Sequence, residues 1–167
     1  MPGLTGRAQG LAFARRFSLI VPVLLLLAAC ATQGPPPCPF TGTPDFAPSA
    51  GCLTMVHGRV LVVESIYGGV TPPGGKSLEG ESAQCAAHRE TWEETGLDLL
   101  PSRLLHVFDT GFHLYYCEIH AGSGHVELGP GKEVRSWSWL SLEDFDKVQW
   151  RFAGQGEELR RFLTIEE

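Results

Sequence analysis

No C-x-x-C pair occurs among the five cysteines, and the six histidines never fall at zinc-ligand spacing. The first absence removes the signature of dithiol redox catalysis, and the second leaves no ready-made zinc site. No internal repeat is present, which excludes solenoid and propeller architectures. Past one apolar run near the N-terminus there is no second hydrophobic span, so nothing points to a polytopic membrane protein. Basic residues are also few: 13 Lys and Arg against 19 Asp and Glu, a formal net charge of −6. Without a basic patch, general nucleic-acid binding and electrostatic attachment to anionic headgroups are both disfavoured.

What is present begins with Arg7, Arg15 and Arg16, followed by the apolar run Phe17 to Leu27 and then small residues. The run is short for a membrane span, and the order reads as a secretory signal peptide over residues 1–29. Leu27-Ala28-Ala29-Cys30 resembles the lipobox of bacterial lipoproteins. The resemblance implies cleavage before Cys30, acyl chains on that cysteine, and a lipid-anchored protein of the bacterial envelope facing the periplasm or exterior. Several chains anchor stably where one is marginal. Ala31, a non-acidic residue after Cys30, resembles lipoproteins sent to the outer membrane where two membranes exist. The other reading is an ordinary signal peptide cut after Ala29. Removing residues 1–29 leaves 138 of 167 residues, one domain's worth. Three basic and no acidic residues leave with them, so 10 basic stand against 19 acidic, a net charge of −9. Residues 30–50 are rich in Pro, Gly, Ser and Thr and read as a lipidated cysteine plus tether, with the folded domain over 51–167.

The most informative stretch runs from Gly75 to Leu97. Gly96 reads as a left-handed residue just past a helix that ends near Thr95, and Gly80 and Glu81 read as its start, where an acid suits the helix dipole. On a helical period Glu90, Glu93 and Glu94 stand at i, i+3 and i+4, so three carboxylates share one face. Ala83, Ala86 and Ala87 fall on that face too and leave room for a loop or ligand. Like charges so placed repel by a few tenths of a kcal/mol per pair. A divalent cation removes the conflict, and clustered hard oxygen donors suit Mg²⁺ or Mn²⁺. A merely solvated acidic face would interleave lysine, which this face does not. Ahead of the helix, Thr71-Pro72-Pro73-Gly74-Gly75 reads as a defined loop with exposed backbone.

Gly75, Glu81, Arg89, Glu90, Glu93, Glu94 and Gly96 match the pattern G-x5-E-x7-R-E-U-x-E-E-x-G-U, and so resemble the box of the Nudix hydrolases. Seven fixed positions arise by chance in roughly one chain per million of this length. Thr91 is the one departure, standing where the family usually has an aliphatic residue. The resemblance implies an α/β/α sandwich with a mixed sheet. It implies metal ligation by the Gly75 carbonyl, Glu93 and Glu94, with Glu90 as a further ligand or the general base. Glu81 is implied as a more peripheral acid. Arg89, four residues before Glu93, is placed to orient that carboxylate.

Elsewhere, Cys52–Val56 and Arg59–Glu64 read as strands around a His57-Gly58 turn, and Leu104–Asp109 and Phe112–His120 as strands around Thr110-Gly111. Val134–Leu140 reads as another strand, and Ser141 as the cap of a short helix through Phe145. Leu159, Phe162 and Leu163 form the core-facing stripe of a terminal helix. Glu133 is the candidate for an additional ligand or base, because Glu133-Val134 with Trp139-Leu140-Ser141-Leu142-Glu143 resembles the family's distal region; an exposed loop acid is the alternative. Phe112, Tyr115, Trp137 and Trp139 are candidates to stack on a base, against the commoner outcome of burial. His88 reads as a helix-surface residue. Cys38, Cys52, Cys85 and Cys117 suggest two disulfides with three possible connectivities in an oxidising compartment; for Cys52 and Cys117, buried thiols are the alternative.

The expectation is therefore a metal-dependent hydrolase of a diphosphate linkage in a nucleoside-diphosphate-linked or related small molecule. It would act outside the cytoplasmic membrane, and no nucleic-acid partner is expected. The alternative is a non-catalytic lipoprotein of the same fold that binds diphosphates or a partner protein. Cys30→Ala should move the protein from the detergent to the aqueous phase on partitioning. An unlipidated Cys30 in native material would defeat the lipoprotein reading.

Overall fold

Buried Thr54 divides the first apolar run between two sheets. Strand β1 (Ser49–Leu53) lies in one sheet, and β2 (Met55–Val56) lies in the other. The expected single strand Cys52–Val56 is thus two. The Thr54 carbonyl accepts the Leu61 N–H at 3.0 Å, so the crossing stays hydrogen-bonded. The computed structural model describes residues 34–120 and 133–164. The expected signal peptide, Cys30 and the start of the tether lie outside the described residues, as do Gly129 to Lys132.

His57 and Gly58 have φ of 49° and 72° and join β2 to β3 (Arg59–Ser65) in a two-residue hairpin, as their sequence suggested. Then come β4 (Val70–Thr71), β5 (Gly74–Lys76), helix α1 (Ala83–Thr95), β6 (Leu99–Val107), β7 (Phe112–Ile119), β8 (Val134–Ser141) and helix α2 (Gln155–Thr164). One sheet has the order β5-β1-β7-β6, with β1 and β7 parallel and the rest antiparallel. In the other, β8 runs along one edge of β3, and β2 and β4 share the opposite edge.

Alternation along these strands fixes two cores. Ala50, Cys52, Leu61, Tyr115 and Cys117 pack with Ala83, Ala86 and Ala87 of α1. Leu53, Val60, Val62 and Leu114 point the other way, onto Phe145 and Leu159 and Leu163 of α2. Helices therefore cover both faces, giving the expected α/β/α sandwich with a mixed sheet. The alanines make close approach possible, but it is β1 rather than a loop or ligand that fills the space. Burying Leu159 and Leu163 contributes about 1.5–3 kcal/mol each.

Three elements differ from expectation. Strand β6 begins at Leu99, not Leu104; Pro101 is tolerated because β6 is an edge strand and its register shifts between Pro101 and Arg103. Leu142–Lys147 is a 3₁₀ turn, and the Ser141 hydroxyl donates to the Asp144 carboxylate at 2.6 Å instead of capping backbone. His88 is buried at 1 % exposure, with Nδ1 2.9 Å from the Leu99 carbonyl and Nε2 3.2 Å from that of Pro36.

The domain also starts earlier than Gly51. Pro35 onward is one compact unit, and residues near Asp45 are docked on α1 rather than free as a tether. The Asp45 carbonyl accepts the Ala83 N–H at 2.8 Å, one of the donors a helix start leaves unpaired. The Asp45 carboxylate accepts from Gln84 and from the Tyr115 hydroxyl, both at 3.0 Å. The cysteines resolve to Cys38–Cys85, which fastens this segment to α1, and Cys52–Cys117, which joins β1 to β7. No helix among the described residues is long and apolar enough to cross a membrane.

All four of these cysteines should resist alkylation in non-reduced, denatured protein and react after reduction. Loss of Cys52–Cys117 should cost about 2–4 kcal/mol of stability. Four free thiols by mass spectrometry of protein folded under oxidising conditions would contradict both bridges.

Candidate active site

Helix α1 is held at both ends. Ser82 Oγ accepts the Cys85 N–H at 3.2 Å, and Gly96, left-handed at φ 73°, donates its N–H to the Trp92 carbonyl. Thr91 is fully buried, and its hydroxyl is satisfied by the Ala87 carbonyl at 2.7 Å, so the departure from an aliphatic residue leaves no orphaned group. Glu81 is not a first-turn acid as expected; it precedes the cap, and no acid occupies the first turn.

Glu81 instead grips Arg89. Its two oxygens accept from Arg89 Nε and Nη2 at 2.9 Å each, and Oε2 also takes the Leu78 N–H at 2.8 Å. Burial pushes the Glu81 carboxyl up, but the Arg89 and Leu78 bonds outweigh it and hold it below the usual range. Arg89 Nη2 donates as well to the Lys76 carbonyl at 2.8 Å, and Nη1 to Glu90 Oε1 at 2.8 Å. Nη1 reaches Glu93 Oε2 only at 3.5 Å. Arg89 thus orients Glu90 more than Glu93, a correction to the expectation from spacing. The bonds from Glu81, with Glu90 adding, hold the guanidinium protonated beyond its already high ordinary range.

Close approach of backbone requires glycine at Gly74, and the absence of a side chain at Gly75 leaves the Glu90 carboxylate its place. A side chain on Gly74, at φ 156°, would strike Gly51 and Ala50, and one on Gly75 would overlap the Glu90 carboxylate. The Gly74 N–H donates to Glu94 Oε2 at 2.9 Å. Burial pushes the Glu94 carboxyl up to about 8 despite that bond, with Glu90 and Glu133 adding repulsion. Glu90 is raised too, by burial first, with Arg89 opposing.

Gly75, Glu90, Glu93, Glu94 and Glu133 line one cavity of about 920 Å³. Arg89 and Glu81 stand behind this wall, Gly96 ends the helix, and Cys30 lies outside the described residues. Phe112 lines the cavity, whereas Tyr115 is buried against Asp45, and Trp137 and Trp139 pack on the α1 core. Arg151, Phe152 and Gln155 also line it, from the turn into α2. Sequence reasoning missed them because nothing local marks them; the fold alone brings them opposite α1.

Among the described residues, no group of three or more His, Cys, Asp or Glu side chains is placed to hold a metal ion by itself. The donor chemistry nevertheless fits a hard cation. Glu90 and Glu94 each have one oxygen fixed by the protein, at Oε1 and Oε2 respectively; both are partly buried, and Glu90 adds repulsion at Glu94 that Arg89 and Arg151 offset only in part. Mg²⁺ needs only a few carboxylates, since waters and substrate phosphates complete its shell.

A sandwich of this kind, with a clasped glutamate helix facing a deep cavity, defines the class. Residues 45–162 match the NUDIX domain family model, and the chain belongs to the Nudix family. An ADP-ribose pyrophosphatase from Streptococcus suis is similar in fold, at 21% identity and TM-score 0.60, over 71% of this chain and 90% of that one. A UDP-X diphosphatase is similar at 19% identity and TM-score 0.57, over 78% and 68%. A putative nudix hydrolase family member from Chromobacterium violaceum is similar at 27% identity and TM-score 0.55, over 74% and 80%. No curated protein matches the sequence. Family membership and neighbours named as pyrophosphatase and hydrolase support a Nudix hydrolase.

A carboxyl raised from 4.5 to about 8 makes the folded state the tighter proton binder. In chelator, its stabilisation is complete below about pH 4.5 and is lost as pH rises through about 8, at no more than about 1.4 kcal/mol per pH unit. Glu94→Gln should therefore melt above wild type at about pH 8.5 and level with it at about pH 4.5. Parallel melting curves across that range would show that Glu94 is not buried as described.

Proposed function

We propose that the chain hydrolyses a diphosphate linkage with the help of a divalent cation, Mg²⁺ or Mn²⁺, and that its substrate is a nucleoside-diphosphate-linked or related small molecule. The observation that carries this reading is the convergence of Glu90, Glu94 and Gly75 on one cavity, with Glu90 held by Arg89, Glu94 by the Gly74 N–H and Gly75 by its pairing with Ala50 of β1. The cation supplies charge neutralisation on the phosphates and lowers the pKa of bound water. Glu94 and the Gly75 carbonyl would hold it, with Glu93 at the exposed rim. Glu90 is steadied through Oε1 by Arg89, and its Oε2, with no hydrogen bond among the described residues, would take the proton of the attacking water. Glu133 faces the same cavity and is a second candidate for proton transfer.

The neighbours named ADP-ribose pyrophosphatase and UDP-X diphosphatase support a substituted diphosphate over a triphosphate. Location is part of the proposal: a lipid anchor at Cys30 and an envelope site. Two disulfides in one small domain support an oxidising compartment. Free triphosphates are scarce there, and diphosphate-linked compounds are more plausible.

With Mg²⁺ or Mn²⁺, residues 31–167 should turn over ADP-ribose-like or sugar-nucleotide substrates with a higher kcat/KM than triphosphates. Glu94→Gln should lower kcat by ~10²-fold or more without unfolding the protein. A tenfold preference for a triphosphate, or near-normal activity of Glu94→Gln, would contradict the reading.

A further inference from the structure

The cavity wall opposite α1 carries polar groups that the metal-site reading leaves unused. Arg151 and Lys76 are the cations in a lining that also holds Glu90, Glu93, Glu94 and Glu133. Among the described residues no hydrogen bond or salt bridge holds the Arg151 guanidinium, although its charge is near enough to Glu94 to oppose the rise of that carboxyl. It lies instead between two exposed rings, 5.7 Å from the centroid of Tyr67 and 5.5 Å from that of Phe152. Those rings are 73% and 59% exposed. Cation–π contacts hold the group in place yet leave its N–H donors free.

The backbone beneath it is fixed. Val70 N–H donates to the Gln149 carbonyl at 2.8 Å, and the Arg151 N–H donates back to Val70 at 2.9 Å. Gly69, at φ 77°, lets this strand pass, since a side chain there would sit 2.7 Å from the Arg151 nitrogen. The Trp150 indole is anchored on the Phe145 carbonyl at 2.9 Å and fills the space that Gly156 leaves. Four residues on, Gln155 donates from Nε2 to Thr71 Oγ1 at 3.0 Å. Its other amide atom, Oε1, is shielded from solvent and has no partner among the described residues. An acceptor left in that state has a free-energy incentive to take a donor from a ligand.

We propose that Arg151 and Gln155 are the specificity-determining pair of this site. Arg151 binds the phosphate farther from the helix carboxylates, and Gln155 Oε1 accepts a hydrogen bond from a hydroxyl of the group attached to it. This rests on the diphosphate reading above. A substrate bridging the two walls would carry two linked phosphates and a hydroxyl-bearing substituent. A guanidinium suits the phosphate because its forked donors match two oxygens at once. Arg151 contributes binding rather than chemistry, so its removal acts mainly on KM.

The test compares wild type, Arg151→Ala, Arg151→Lys and Gln155→Leu, with melting curves confirming the fold of each. Calorimetry with Mg²⁺ measures binding of inorganic pyrophosphate and of α,β-methylene ADP-ribose, which is not cleaved; kinetics use ADP-ribose. Arg151→Ala should weaken both probes tenfold or more and raise KM correspondingly, with kcat falling less than threefold. Arg151→Lys should recover part of the loss. Gln155→Leu should weaken the ADP-ribose analogue at least threefold and leave pyrophosphate unaffected, a split that general damage to the site would not give. Arg151→Ala binding both probes like wild type overturns the assignment, as does wild type binding neither. Wild type that binds both, loses them in Arg151→Ala and never turns over ADP-ribose would retain the recognition pair while removing the hydrolase reading for that substrate.

Discussion

Arg89 ties together the loop, strand and helix that build one wall of the cavity. Its guanidinium connects Glu81 ahead of the helix cap, the Lys76 carbonyl of β5 and the Glu90 carboxylate, so loop, strand and helix meet through one side chain. Three acids on one helical face would otherwise repel and turn outward. Because Glu81 absorbs one side of the cation and Glu90 the other, Glu90 is held inward against Gly75 without the positive charge itself entering the cavity. Lysine could not replace this function, since a single ammonium cannot reach three elements in a planar fork.

The glycines complete the constraint. Gly74 lies against the β1 backbone at a separation that admits no side chain, and Gly75 leaves room for the Glu90 carboxylate, which lets backbone and carboxylates share one surface. The far side of α1 is secured by a different set of contacts: Cys38–Cys85, the Asp45 carbonyl on the first helical N–H, and His88 between the Leu99 and Pro36 carbonyls. A segment that reads as tether by composition thus acts as a strap that immobilises the helix bearing the carboxylates. Rigid support of this kind is what positioning of reacting groups demands.

Local signals were legible and distant ones were not. The helix end at Gly96, the His57-Gly58 hairpin and the shared face of Glu90, Glu93 and Glu94 depend on residues within one or two turns, and spacing alone reveals them. Phe112 belongs to the cavity, but Tyr115, Trp137 and Trp139 do not, because alternation along a strand cannot say which face a helix will cover. The reach of Arg89 to Glu81, the burial of His88, the pairing of cysteines and the placing of Arg151 and Gln155 opposite α1 all depend on tertiary contacts. Proline-rich composition misled at Pro36 to Ala50 for the same reason: what docks that segment is a disulfide and a few hydrogen bonds, not hydrophobic periodicity.

The proposed chemistry rests on one physical requirement, a divalent cation held where Glu90, Glu94 and Gly75 line the cavity. Anomalous diffraction from crystals grown with Mn²⁺ tests it most directly. The expected result is a peak in coordination contact with a Glu94 oxygen and the Gly75 carbonyl, absent from Glu94→Gln crystals. A cavity that stays empty at saturating Mn²⁺, or a peak bound elsewhere and unaffected by the substitution, would contradict it.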